Sequence, residues 1–173
     1  MSADRDWPAE LHAALKKLDV RLVSYVPDAG HKRLIELCRE DNEMRAVVCS
    51  TEEEGIGLAA GGWLGGSKSV LLMQSSGVGN CVNTLSMINV GKFPLLILVT
   101  MRGQWGEFNP WQVPMGQTSG EILRLSGVHV YEVHSKDEVA ETVAAAGRLA
   151  FDSSVAVAVL ISQRVIGTKS FGR

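Results

Sequence analysis

The chain has 173 residues, 46% of them hydrophobic and 21% charged, and its net charge is −2 at neutral pH. This length suits one domain (1–173) with a core of its own, and the hydrophobic content excludes a disordered chain. Acidic and basic residues are interspersed, so we expect neither a nucleic-acid partner nor a polybasic contact with a membrane. The apolar runs are far shorter than the roughly 20 residues that cross a bilayer. A polar start and three widely spaced cysteines predict a cytoplasmic protein.

Six apolar segments alternate with segments of helical periodicity along the chain. The predicted strands are 20–26, 45–49, 69–74, 94–99, 128–133 and 155–161. Their alternation with helices predicts a doubly wound α/β domain, with a mainly parallel six-stranded sheet and helices on both faces. We predict a tight loop at 75–80, and an irregular segment at 101–116 that is followed by a short helix at 121–125.

Ligands of such sheets bind at the carboxyl ends of the strands. Five segments of the sequence are predicted to lie there: 27–30, 52–54, 74–80, 101–117 and the tail after Ile161. The four histidines are predicted to lie away from this edge, in surface or structural positions. The sequence has no complete dinucleotide or Walker motif, no catalytic triad spacing and no spacing of metal ligands.

Three carboxylates, Glu52, Glu53 and Glu54, open a helix that is rich in glycine and alanine. Acidic residues suit the positive end of a helix, so capping explains part of this cluster. The helix also contains several glycines, each of which weakens it by about 1 kcal/mol relative to alanine. The sequence therefore indicates that a ligand or a partner comes very close to this helix.

The segment 101–117 is long for a connection in a compact domain, and it contains two tryptophans, a phenylalanine and an arginine. A subunit interface and a substrate-binding loop are both open interpretations, and they are compatible if the site lies between subunits. Arg102 follows the fourth strand. It is the candidate for pairing with an anionic substrate group, because a guanidinium binds such oxygens bidentately.

Four segments together resemble the pyrimidine-binding domain of thiamine-diphosphate enzymes. They are Val-Pro-Asp at 26–28, Thr-Glu-Glu-Glu-Gly-Ile-Gly-Leu-Ala-Ala-Gly at 51–61, Met-Gln-Ser-Ser-Gly-Val-Gly-Asn at 73–80 and Val-Pro-Met-Gly at 113–116. The resemblance covers essentially the whole chain. It points to the alpha subunits of sulfopyruvate decarboxylases, with phosphonopyruvate decarboxylases as relatives.

The resemblance implies decarboxylation of a small anionic 2-oxoacid such as 3-sulfopyruvate, which gives sulfoacetaldehyde and CO₂. It implies that a catalytic glutamate bonds N1′ of the cofactor's aminopyrimidine; the match at 58–61 favours Glu52, with Glu53 as the alternative. Further cofactor contacts are implied at Gln74, Ser76, Gly77, Val78, Gly79 and Asn80, where 77–79 resemble the backbone turn beside the pyrimidine. Asp28 and Gln112 are implied to face the ketoacid.

One part of the superfamily pattern does not occur in the sequence: the Gly-Asp-Gly segment with a later Asn that holds Mg²⁺ and the diphosphate. We therefore expect a beta subunit that carries the diphosphate-binding domain and the metal, in an α/β hetero-oligomer with active sites between subunits. Phosphonopyruvate or another ketoacid is the alternative substrate, and the pathway, coenzyme M synthesis or other sulfonate or phosphonate metabolism, is open. A non-catalytic regulatory or assembly subunit is the alternative of another class.

Overall fold

A computed structural model describes residues 5–167 of the chain and contains one six-stranded sheet. The strand order is β2-β1-β3-β4-β6-β5, and each neighbouring pair is parallel. The strands are β1 (Val20–Tyr25), β2 (Arg45–Val48), β3 (Lys68–Gln74), β4 (Leu95–Thr100), β5 (His129–Val133) and β6 (Ala156–Ile161). The predicted doubly wound α/β fold is confirmed.

Helices cover both faces of the sheet. They are α1 (Trp7–Lys17), α2 (Lys32–Glu40), α3 (Glu52–Leu64), α4 (Ser75–Cys81), α5 (Ser86–Gly91), α6 (Val113–Leu125), α7 (Val139–Ser153) and α8 (Gln163–Ile166). Short 3₁₀ turns occur at Pro110–Gln112 and Lys136–Glu138. The buried residues of α1, α2 and α7 form one core cluster with the sheet, and those of α3, α4, α5 and α6 form the other.

Strand β4 shows why the central strands are almost continuously apolar. All six of its residues are buried. Leu96 and Leu98 belong to the first core cluster, whereas Leu95, Ile97 and Val99 belong to the second. Successive side chains of a strand point to opposite faces, so a sheet that is covered on both faces requires apolar residues at every position.

Two sequence predictions about the edge of the sheet are wrong. Residues 75–80 form helix α4 and not a tight loop, so Gly77 and Gly79 lie in a helix. The short helix predicted at 121–125 is the end of α6, which begins at Val113 and has a proline in its first turn. Both segments contain glycines, whose low helix propensity led to the wrong predictions. They are tolerated in these helices because neighbouring chain packs against them, as at Gly116, where a Cβ would lie 1.9 Å from the carbonyl oxygen of Arg102.

No helix among residues 5–167 is long and apolar enough to cross a membrane.

Candidate active site

At the carboxyl edge of the sheet, hydrogen bonds connect four of the five predicted segments to one another. The fifth segment is hydrogen-bonded to the end of a strand. Glu52 is bonded to Asn80, and Gln74 to Gln112. In the tail after Ile161, the side chain of Gln163 forms hydrogen bonds with the loop at 104–107. The segment at 27–30 is held at the same edge by a bond to the last residue of β4. The fold therefore brings together residues that lie far apart in the sequence.

Glu52 is the member of the acidic cluster that points into the fold. It is the first residue of α3 and is 7% exposed. Its Oε2 accepts a hydrogen bond of 2.8 Å from Asn80 Nδ2. Helix α4 reaches this carboxylate through Gly77, where a Cβ would lie 2.5 Å from Glu52 Oε1. The glycine in α4 therefore makes room for a buried carboxylate.

Glu53 and Glu54 have other surroundings, since both are exposed. Glu53 Oε2 lies 3.4 Å from the hydroxyl of Thr84, and Glu54 Oε2 accepts a hydrogen bond of 2.7 Å from the backbone N–H of Ser50. Glu54 therefore bonds the backbone just before α3, whereas the N-cap residue, Thr51, makes no side-chain capping bond. Burial distinguishes Glu52 from Glu53, which the sequence pattern could not do alone.

Gln74, the last residue of β3, links predicted cofactor contacts to predicted substrate contacts. Its Nε2 donates to Ser76 Oγ at 2.9 Å and to Gln112 Oε1 at 3.1 Å. Its Oε1 accepts from Arg102 Nη1 at 3.4 Å. The 3₁₀ turn at Pro110–Gln112 holds Gln112 in reach, although this residue is far from β3 in the sequence.

Arg102 lies at this edge, but most of its guanidinium is already bound. Nε and Nη2 each donate to the carboxylate of Glu107 at 2.6 Å. The carboxylate also accepts hydrogen bonds from the backbone of Gly103 and Asn109 and from Gln163 Nε2. Its hydrogen bonds to Arg102 lower the pKa of Glu107 from its usual value near 4.5 to about 2. Nη1 is directed at Gln74, a predicted cofactor contact that also bonds Gln112.

Asp28 lies beside two buried polar groups. Its Oδ2 accepts a hydrogen bond from the hydroxyl of Thr100, which is fully buried at the end of β4. His31 follows in the same turn and is fully buried, with Nε2 3.1 Å from the carbonyl oxygen of Leu98. Burial lowers the pKa of His31, and the charge of Asp28 acts in the opposite direction. The prediction that the histidines lie away from this edge is therefore wrong for His31.

Sequence analysis did not single out Thr100, Glu107 or Gln163. Thr100 had a detectable signal, because it is the one polar residue of β4, and Gln163 is a polar residue two positions after the apolar strand β6. Glu107 gave no such signal: nothing in the sequence indicates that its partner is Arg102. Among residues 5–167, no group of three or more His, Cys, Asp or Glu side chains could hold a metal ion.

Comparison with known proteins identifies the class of this fold and site. Residues 9–118 match the family described as thiamine pyrophosphate enzyme, N-terminal TPP binding domain. In the solved 2-oxoglutarate:ferredoxin oxidoreductase from Magnetococcus marinus, 92% of this chain superposes on 29% of that chain, with a TM-score of 0.76 and 16% identity. That likeness is one of fold alone.

Several relatives match along nearly their whole length. The sulfopyruvate decarboxylase alpha subunits of Methanococcus maripaludis and Methanothermobacter thermautotrophicus are 33% and 34% identical over 152 residues, which cover 87% of this chain and 91% and 92% of theirs. The phosphonopyruvate decarboxylase of Streptomyces viridochromogenes is 35% identical over 119 residues, which are 68% of this chain and 30% of that protein.

The chain belongs to the thiamine pyrophosphate enzyme family, among the relatives of the sulfopyruvate decarboxylase alpha subunits. The resemblance read from the sequence is confirmed.

Proposed function

We propose that this chain is the alpha subunit of a thiamine-diphosphate-dependent 2-oxoacid decarboxylase that converts 3-sulfopyruvate to sulfoacetaldehyde and CO₂. The observation that carries the proposal is the carboxylate of Glu52, which is buried at the head of α3 between Asn80 and Gly77. The similarity to sulfopyruvate decarboxylase alpha subunits along nearly their whole length supports the choice of substrate.

The residues around Glu52 fit the aminopyrimidine of the cofactor. The missing Cβ of Gly77 makes room for the carboxylate of Glu52 itself, which a Cβ would meet at 2.5 Å. The other small residues of α4 would let a flat ring approach the backbone beside this carboxylate. In this proposal Glu52 would hold the ring nitrogen through a hydrogen bond and could exchange a proton with it, while Asn80 fixes the orientation of the carboxylate. Gln74, Ser76 and Gly79 are proposed to line the rest of the contact, whereas Val78, which the resemblance also implies, is fully buried in the second core cluster. The bound cofactor supplies the electron sink for cleavage of the bond to CO₂.

The ketoacid is proposed to lie on the side of Asp28, Gln112 and Arg102. Gln112 and Arg102 both bond Gln74, so their polar groups already converge on one point. Arg102 Nη1 supplies a charged donor to a sulfonate, while Glu107 keeps the rest of the guanidinium in place. Phosphonate offers a similar set of oxygens. The similarity to phosphonopyruvate decarboxylase therefore supports phosphonopyruvate as the second candidate substrate.

We further propose that a beta subunit holds the diphosphate and Mg²⁺, in an α/β hetero-oligomer with the site at the subunit interface. The support is the name of the matched relatives, subunit alpha, and the match along nearly their whole length. A cytoplasmic location stays a prediction from the sequence.

The decisive experiment compares Glu52→Gln with Glu53→Gln in the complex purified with its partner. We expect Glu52→Gln to lower turnover of 3-sulfopyruvate by about 100-fold or more, the lower end of what a positioned acid–base group contributes. Because Glu53 is exposed, Glu53→Gln should stay near the wild-type rate. Assembly, followed by size-exclusion chromatography, should be unchanged in both variants.

A wild-type rate for Glu52→Gln would support the regulatory or assembly subunit instead. Parallel assays with phosphonopyruvate decide the substrate, because the true substrate should have the higher kcat/KM. Sequencing the proteins that co-purify with the tagged chain tests the partner. The proposal requires a stoichiometric partner with the Gly-Asp-Gly segment.

A further inference from the structure

Thr100 is a fully buried polar residue at the end of a strand whose five preceding residues are all apolar. Its hydroxyl has two possible partners: it bonds Asp28 Oδ2, and it lies 3.4 Å from the carbonyl oxygen of Met73. Valine has the same shape and would suit a buried strand at least as well, because burying a hydroxyl is unfavourable unless it is hydrogen-bonded. The hydroxyl therefore calls for an explanation beyond the packing of β4.

We propose that Thr100 is the positioning residue for Asp28 and that its hydroxyl keeps Asp28 in one place in both protonation states. A threonine hydroxyl donates one proton and accepts on its lone pairs. When Asp28 is ionised, Thr100 donates to Oδ2. When Asp28 is protonated, Asp28 donates to Thr100 Oγ1 and the hydroxyl proton turns towards Met73 O. A rotation of one O–H bond thus satisfies the carboxyl group in either state.

The turn around Asp28 is packed tightly enough for this role. A Cβ on Gly30 would lie 2.8 Å from the Cβ of Thr100 and 3.0 Å from Asp28 Oδ2, so the backbone of the turn rests directly on the pair. His31 lies in the same turn and is fully buried, and burial lowers its pKa, so its ring is neutral at neutral pH.

Glu107 and Asp28, two of the carboxylates of this edge, differ in a way that suits different tasks. Glu107 is held ionised by the guanidinium of Arg102. Asp28 is bonded instead to a neutral hydroxyl that can either donate or accept. A fixed cation favours the ionised state of a carboxyl group alone, whereas a hydroxyl that can donate or accept is compatible with both states.

The proposal rests on the proposed function, in which Asp28 faces the ketoacid. Decarboxylation of a 2-oxoacid breaks the bond to the carboxylate, releases CO₂ and leaves the electron pair on the substrate carbon, which then takes up a proton. A group beside the substrate must therefore tolerate changes of protonation during each turnover. Thr100 allows Asp28 to do so without moving.

The test compares Thr100→Val with Thr100→Ser in the assembled complex. Valine keeps the shape and removes the hydroxyl, whereas serine keeps the hydroxyl. We expect Thr100→Val to lower kcat by about 10-fold or more, as loss of a buried hydrogen bond to a charged group does, with KM changed less than about 3-fold. Thr100→Ser should recover most of the lost kcat. In combination with Asp28→Asn, Thr100→Val should have little further effect, because the two residues act as one unit.

Three results would overturn the proposal: a wild-type kcat for Thr100→Val, equal losses for the valine and serine variants, or fully independent effects of Thr100→Val and Asp28→Asn. If Thr100→Val does not assemble, Thr100→Cys keeps a similar volume with a much weaker donor and is judged by the same criteria. Glu52→Gln, measured in the same series, separates the two proposals. If Glu52→Gln is inactive and Thr100→Val is unaffected, this inference fails alone; if Glu52→Gln is fully active, the proposed function fails.

Discussion

Arg102 and Glu107 form a bidentate ion pair in the interior of the protein, with side chains that are 8% and 3% exposed. Both N–O distances are 2.6 Å. Glu107 also accepts hydrogen bonds from the backbone N–H groups of Gly103 and Asn109 and from the side chain of Gln163, which follows β6. The connection from β4 to α6 is therefore held at Glu107 by residues that follow two strands, β4 and β6. The same bonds fix the position of Arg102 Nη1 next to Gln74.

Replacing Glu107 with glutamine should destabilise the protein strongly. The substitution leaves the charge of Arg102 buried without its counter-ion, and breaking such a pair costs about 3–5 kcal/mol. The matched control is Glu132→Gln, which removes the pair of Glu132 with Arg124. Those side chains are 43% and 50% exposed, so we expect a loss of about 0–1 kcal/mol. Urea unfolding of both variants measures the difference, and equal losses would contradict the structural role of Glu107.

The stabilising effect of Glu107 should disappear in acid. Its folded-state pKa of about 2 lies below the usual value of 4.5. The unfolded chain therefore takes up a proton on this group first as the pH falls, so the stabilisation is complete above about pH 4.5 and is lost towards pH 2. We expect the difference in unfolding free energy between wild type and Glu107→Gln to be constant from pH 7 to 5 and to shrink between pH 4.5 and 3. A difference that is independent of pH over the whole range would rule out this linkage.

The sheet and the place of Glu52 at the head of α3 could be predicted from the sequence because their signals are local. The residues of β4 are apolar at every position, which is typical of a parallel strand covered on both faces. Glu52 stands at the head of a helix with unusually many glycines, in a segment that resembles a known family. Each signal lies within about fifteen consecutive residues, where hydrophobic periodicity and motif spacing are informative.

The contacts of Glu107 and Thr100 could not be predicted because they depend on tertiary packing. The strand register places Thr100 beside Gln74, and the adjacent turn brings Asp28 to its hydroxyl. Helix α4 was missed for a related reason. Its glycines favour a loop by local propensity, but Gly77 is required where the helix packs on Glu52.

The same substitution should have opposite effects at two helical glycines. At Gly116, near the start of α6, a Cβ would lie 1.9 Å from the carbonyl oxygen of Arg102, which is backbone and cannot move aside cheaply. We expect Gly116→Ala to destabilise the chain by about 3 kcal/mol through overpacking. At Gly57 in α3 a Cβ meets nothing within 4 Å, so Gly57→Ala should stabilise the isolated chain by up to about 1 kcal/mol through helix propensity. Thermal and urea unfolding of the purified chain compare the two, and a stabilised Gly116→Ala would contradict the packing.

Gly77→Ala should disable the site without a charge change. The new Cβ would lie 2.5 Å from Cγ, Cδ and Oε1 of Glu52, so the carboxylate must leave its place and lose its bond to Asn80. Because Glu52 is proposed to hold the cofactor ring, we expect turnover of the assembled complex to fall about 100-fold, in line with loss of a positioned acid–base group. Gly65→Ala is the control at the far end of α3. Its Cβ would make only ordinary contacts of 3.4 Å, so the rate should stay near wild type. If Gly77→Ala kept the wild-type rate, Glu52 would not need its present position for catalysis.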